Sequence, residues 1–310
     1  MIGINSLNEN YTIKNKLGRS CYLIIDKITK IKYTVKLEPQ TNGKLHSIFR
    51  QLFNGSLPFQ NEFRVNNEIL KIKRLDFKIP EIIDSQTSLY FLSNFINQKK
   101  KNNTEYINDS LNYKICLALL SIAKIKRPIK WNFFKELTFR FMESPSRRIL
   151  IDVHEACRSN NLSFFKAFKL ILKLEFIRFK NIKKVPPNLI HNDLGFNNIL
   201  IDHSNQIFII DWEDALWEKK WPLVDITDLA LNVQIGNFNK HLLVNYFDKI
   251  KNRYPYLSDS IIECHIKFGY LRRLSRLLSM KKTTIKEKII ILNKFKYFIN
   301  NESSFIFYKK

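Results

Sequence analysis

The sequence predicts an α+β fold of two lobes, a small β-rich N-terminal lobe over 1–96 and a larger, mostly helical C-terminal lobe over 97–310. Three observations support it. From Tyr11 to about Phe95 short apolar runs alternate with polar turn residues, the texture of strands. Beyond Asp109 apolar positions recur at three- and four-residue spacing, the texture of helices. Between Leu189 and Ala215 that helical pattern breaks into short β-like runs around polar residues. A chain of 310 residues with 45% hydrophobic content has ample material for a core, so collagen, low-complexity disorder and a disulfide miniprotein are excluded.

Taken in order, Cys21–Ile25 and Tyr33–Val35 read as strands. Phe63, Val65, Ile69, Leu70 and Ile72 give a helical face that ends before Pro80, which has no N–H to continue it. Ser88–Ile96 reads as a further buried strand, and Asn97–Asp109, with its lysine run and no periodic apolar face, as a linker. Helices are expected over Leu111–Ile125, Asn132–Met142, Ile149–Cys157 and Phe164–Phe179, and again from Leu223 to about Phe298.

The formal net charge of +24 points to an anionic partner, but lysines are scattered through a chain also rich in Asn, Ile, Phe and Tyr, so much of it reads as compositional bias. A nucleic-acid partner is disfavoured, because no RNA- or DNA-binding motif is present and the aromatics are not interleaved with one basic stretch. Cys21, Cys116, Cys157 and Cys264 stand far apart without a CxxC pair, which argues for reduced thiols rather than zinc or disulfides. No apolar run approaches the ~18 residues that would span a bilayer, and Met1–Asn10 lacks the pattern of a signal peptide. A cytoplasmic protein is expected, with peripheral attachment to an anionic membrane left open.

The chemistry concentrates in Leu189–Ala215. There His191, Asp193, Gly195 and Asn198 precede the strand-like Ile199–Ile201, and Gln206–Ile210 runs into Asp211, Trp212, Glu213 and Asp214. Two apolar runs therefore carry acids and an amide at their ends, about where a hairpin would present them together. Phosphoryl transfer asks for a carboxylate near the incoming hydroxyl, oxygen ligands for Mg²⁺ and a cation on the nucleotide phosphates. Asp193 suits the first task, and Asn198 and Asp211 offer a neutral and an anionic hard oxygen for the second. If strand alternation continues past Asp211, Asp214 faces away from the others.

His191-x-Asp193-x4-Asn198 followed by Ile-Ile-Asp211-Trp-Glu213 resembles the catalytic loop and metal-binding strand of the aminoglycoside phosphotransferase and choline kinase superfamily, a branch of the protein-kinase-like fold. The resemblance implies ATP and Mg²⁺ as cofactors, Asp193 as catalytic base, Asn198 and Asp211 as metal ligands with Glu213 near the metal or substrate, and His191 as support of the loop. Pro222-Leu-Val-Asp225 resembles the family's Pro-x-x-Asp element, which implies that Asp225 braces the catalytic loop. Tyr33-Thr-Val-Lys36 looks like the lysine strand that contacts nucleotide phosphates, and Glu68, chosen over Glu62, is its expected carboxylate partner.

The sequence departs from the family at Leu17-Gly18-Arg19-Ser20, where the nucleotide-covering loop has one glycine instead of several. Gly18 and Ser20 are still the expected phosphate contacts, and the thin loop leaves a catalytically silent binding module as the alternative to an enzyme. The acceptor implied is a small molecule, sugar or glycan; the basic composition favours a neutral or anionic acceptor over choline or an aminoglycoside. In the C-terminal part Tyr270, Leu271, Leu274, Leu277 and Leu278 fit core helices, and Arg272, Arg273 and Arg276 read as a solvated basic face.

Overall fold

In the computed structural model the described residues are 9–17, 20–38, 57–86, 90–98, 109–122, 124–125, 145–181, 188–218, 224–225, 229, 247–249, 251–252, 258–279 and 284–301. They form two compact units, one from the described residues of Met1–Lys101 together with Asn197–Ala215, the other from those of Asn102–Ile129, Glu136–Phe196 and Leu216–Lys310. The fold is α+β, with its five-stranded β-sheet in the first unit and its helices mainly in the other.

The first unit is built on an antiparallel sheet of β1 (Tyr11–Lys16), β2 (Cys21–Asp26), β3 (Lys32–Leu37), β4 (Ile82–Gln86) and β5 (Tyr90–Asn94), in the order β1-β2-β3-β5-β4. Alternation along the strands sends Ile24, Val35 and Leu92 into one buried cluster, against which Tyr11, Tyr22, Tyr33, Leu37 and Tyr90 pack. The β2–β3 turn is closed by Asp26, whose Oδ1 accepts from the backbone N–H groups of Ile28 (2.8 Å) and Thr29 (2.7 Å). Helix α1 (Leu57–Leu70) begins earlier than the sequence suggests, with Pro58 in its first turn where a missing N–H costs nothing. Phe59, Glu62, Val65, Asn66 and Ile69 make its buried face.

The remainder of this unit is the hairpin β7 (Ile199–Ile201) and β8 (Ile207–Ile209), which follows β6 (Asn188–Ile190) in the chain. Its tight turn rests on Asp202 Oδ1, which accepts from Ser204 N at 2.9 Å and Gln206 N at 2.8 Å. Two backbone bonds fasten β8 to the chain after α1: Lys78 N donates to Ile207 O (2.8 Å) and Ile209 N to Lys78 O (2.9 Å).

The second unit contains α2 (Asp109–Ile122), α3 (Pro145–Ser159), α4 (Phe164–Asn181), α5 (Asp259–Ser279) and α6 (Ile285–Asn300), together with a short antiparallel pair of β6 with β9 (Leu216–Glu218). The first three agree with expected helices to within a few residues; the expected helix Asn132–Met142 lies outside the described residues. α5 is the central helix, with Ile262, Ile266, Phe268, Leu271 and Arg272 all buried. α6 starts with a reciprocal cap, Thr284 Oγ1 accepting from Glu287 N and Glu287 Oε2 accepting from Thr284 N. Among the described residues no helix is long and apolar enough to cross a membrane.

Candidate functional site

In the first unit the site grows from the lysine of β3. Strand alternation that buries Val35 turns Lys36 to the other face, where its Nζ donates to Asp211 Oδ1 at 2.6 Å, to Glu213 Oε2 at 3.1 Å and to Glu62 Oε2. One carboxylate oxygen from each of Glu62, Asp211 and Glu213 lies within 4.8 Å of the other two. Glu62 is buried at 4% exposure, whereas the side chains of Asp211 and Glu213 keep 38% and 36% of theirs. The cluster thus has a dry brace on one side and two accessible oxygen donors on the other.

The partner of Lys36 is therefore Glu62 and not Glu68. Helix periodicity gives the reason: Glu62 shares the buried stripe of Phe59, Asn66 and Ile69, while Glu68, six residues on, is turned away from it. Glu68 instead pairs one turn along with Lys71 at 2.8 Å.

The electrostatics follow from burial and crowding. Burial opposes the charge of Lys36, but Glu62, Asp211 and Glu213 outweigh it and hold the ammonium well above the ordinary lysine value. Burial pushes the Glu62 carboxyl up to about 7, with Lys36 pulling the other way. Glu213 is raised as well, first by burial and then by Asp211 and Asp214 beside it.

The position of Asp211 is locally imposed. Its backbone is left-handed (φ 67°, ψ 56°), a conformation that costs a residue with a Cβ and persists only where neighbours enforce it. Those neighbours are visible. Trp212 is fully buried, stacks on Phe77 with ring centroids 6.0 Å apart and donates Nε1–H to Ile209 O at 3.0 Å. Asn61, buried on α1, donates from Nδ2 to Ala215 O (2.8 Å), Glu213 O (3.1 Å) and Trp212 O (3.4 Å). Sequence reasoning missed Asn61, which one Asn in an Asn-rich chain gave no signal to find.

Because Trp212–Asp214 is a 3-10 turn, the strand alternation used to set Asp214 aside does not operate there. The hairpin register pairs Ile199 with Ile209, so Asn198, whose carbonyl accepts from Ile210 N at 3.0 Å, lies one residue from Asp211 across the ladder. Ser20 is half-buried, with its carbonyl accepting from Leu37 N at 2.8 Å; Gly18 lies outside the described residues.

The second unit holds the loop of Asp193. Its two preceding residues are clamped from one side by the Asp225 carboxylate, which accepts from His191 N (2.7 Å) and Asn192 N (2.8 Å). From the other side Arg272 Nη2 donates to Asn192 O at 2.8 Å. Asn192 takes a left-handed φ of 67°, and His191 and Asn192 are wholly buried. One turn along α5 from Arg272, Arg276 pairs with Asp193 Oδ1.

Arg272 and Arg276 are thus not a solvated basic face. Arg272 is 2% exposed because α5 runs through the middle of its unit, and the i, i+4 spacing sends Arg276 along the same side to the loop. Burial would raise the Asp193 carboxyl, but Arg276, through charge and hydrogen bond, with His191 and Arg272, leaves it below the ordinary carboxylate range. Asp152 of α3 lies near the same arginines; its carboxyl is raised by burial, against the pull of Arg272, Arg276 and Arg148.

Residues 135–251 match the family model of the phosphotransferase enzyme family. No curated protein matches the chain in sequence. Solved structures do in fold. An ethanolamine kinase from Plasmodium vivax superposes with a TM-score of 0.64 at 13% identity, covering 94% of this chain and 83% of its own. A choline kinase from Cryptosporidium parvum Iowa II gives 0.58 at 13%, covering 95% and 90%. An amicoumacin kinase in complex with AMP-PNP and Ca²⁺ gives 0.55 at 14%, covering 96% and 91%. The resemblance read at His191, Asp193, Asn198 and Asp211 therefore falls in a stretch that matches the phosphotransferase enzyme family model, within a chain of protein-kinase-like fold similar to that of aminoglycoside phosphotransferases and choline and ethanolamine kinases.

Proposed function

We propose that the protein transfers the γ-phosphoryl group of ATP, with Mg²⁺, to a hydroxyl of a small-molecule, sugar or glycan acceptor. The observation that carries this reading is Lys36 held among Glu62, Asp211 and Glu213. A lysine fixed by a buried carboxylate is oriented and kept charged, ready to meet phosphate oxygens, and solvation of a lone buried ammonium could not do this.

The donor set fits a hard divalent cation. Glu62, Asp211 and Glu213 bring three carboxylates against the single charge of Lys36, leaving residual negative charge that Mg²⁺ would neutralise. Asp211 and Asn198 would hold it, with Glu213 as a further oxygen. When bound, the ion supplies charge stabilisation on the phosphate oxygens. Gly18 and Ser20 would cover the phosphates, and Glu62 would brace Lys36 in the role first sought at Glu68.

Asp193 would take or orient the acceptor proton. The clamp of Asp225 and Arg272 on His191 and Asn192 supports that role, since a base must be held within hydrogen-bond reach of its proton. Arg276 keeps Asp193 ionised and gives the acceptor side a cation, which favours neutral or anionic hydroxyl compounds over cationic ones. Acceptor-dependent ADP formation, screened across sugars, anionic polyols, choline and aminoglycosides, tests the reading. Asp193→Ala should lower the rate about 10²–10⁴-fold. A variant that turns over at the parent rate overturns the assignment of Asp193, and preference for choline or kanamycin overturns the acceptor class.

A further inference from the structure

Helix α4 presents an apolar stripe to solvent. Phe165, Leu172, Phe176 and Phe179 are 73%, 53%, 60% and 70% exposed, and steps of seven, four and three residues line them along one side of the helix. Every phenylalanine exposed to this degree among the described residues lies on this stripe. A compositional surplus of Phe would scatter exposed rings over the molecule; here they are confined to one face. The opposite side of the helix, Ala167, Leu170, Ile171 and Leu174, is buried, so the stripe is not the helix's own core face.

A basic flank runs beside it. Lys166, Lys169, Lys173 and Lys180 are exposed at helical spacing along one edge of the stripe, and Lys180 Nζ stands 4.5 Å over the Phe176 ring. The helix has one acid, Glu175, and it is half-buried and paired with Arg178. Aromatic rings next to lysines with no exposed acid among them suit a boundary between hydrocarbon and anionic headgroups. A second copy of the chain suits it less, because each lysine edge would face like charge.

We propose that this face of α4 docks the protein on an anionic lipid surface, the rings entering the headgroup boundary and the lysines meeting lipid phosphates. The proposal stands independently of the phosphotransferase reading. The test is co-sedimentation of the full chain with phosphatidylcholine vesicles, with and without phosphatidylglycerol, at about 0.1 M salt, where exposed charges beyond ~10 Å are screened. Binding is expected to the anionic vesicles only. Lys169→Glu with Lys173→Glu should weaken it about tenfold or more, and Phe176→Ser with Phe179→Ser should remove it. All these side chains are exposed, and unchanged melting temperatures would show that the variants fold.

Absence of vesicle binding overturns the proposal. So does binding that neither double variant alters, which would assign attraction to the overall charge. A concentration-dependent dimer abolished by Phe176→Ser with Phe179→Ser also overturns it, giving the face to a second copy.

Discussion

Opposing influences act on the Asp193 carboxylate: burial raises its pKa, and the Arg276 guanidinium, together with His191 and Arg272, outweighs burial and leaves it lowered. A carboxyl held below its unfolded value of 3.8 contributes stability that is present above that pH and is lost as the pH falls through its lower folded value. Removing the arginine reverses the balance. In Arg276→Ala burial acts with less opposition, so the acid limb of the pH–rate profile should move to higher pH; a limb that stays in place would show that another group sets it. A second test at this scale separates Glu62 from Glu68. Glu62→Gln should weaken Mg-nucleotide binding by tenfold or so, the effect of removing a hydrogen bond to a charged group, while Glu68→Gln leaves it within twofold. Equal losses in a titration of both variants would contradict the pairing of Lys36 described above.

The elements that hold these residues were legible to different degrees. The β-like runs around Asp211 and the i, i+3, i+4 patterns of α2 to α4 were readable because period-two and period-3.6 patterns report burial directly. The choice between Glu62 and Glu68 was not, since it depends on which side of α1 meets the turn Trp212–Asp214, a contact from residues about 150 positions away. The solvated basic face expected of Arg272 and Arg276 fails for a related reason: helical charges are usually solvated, and only the placement of α5 in its unit buries Arg272 and brings Arg276 to Asp193. Asn61 carries the same lesson. It satisfies the carbonyls of Trp212, Glu213 and Ala215 from a fully buried position, so Asn61→Ala should cost about 1–3 kcal/mol in denaturant unfolding and loosen Asp211. A change below ~0.5 kcal/mol would mean that those carbonyls find other donors.

For the whole molecule, the pattern of thiols offers a check on packing. Burial pushes Cys21 up to about 11 and Cys116 up to about 12, and raises Cys157, so none of these three supplies thiolate near neutral pH. A thiol-reactive chromophore at pH 8 should label the native chain slowly and the denatured chain at once; rapid native labelling would show that these sites open readily. The charge of +24, read from composition alone as largely a bias, acquires local meaning in two places, Arg276 at Asp193 and the lysine edge of α4. Neither was visible in the number itself, because net charge has no position.

A working nucleotide site around Lys36 and Asp211 would show itself in thermal unfolding with ATP, with and without Mg²⁺, since a ligand of the native state raises its melting temperature by mass action. A Mg²⁺-dependent rise with the parent chain that is lost in Asp211→Ala is the predicted result. No rise at millimolar nucleotide, or an equal rise in Asp211→Ala, would contradict the account and leave a kinase-like fold that binds something else.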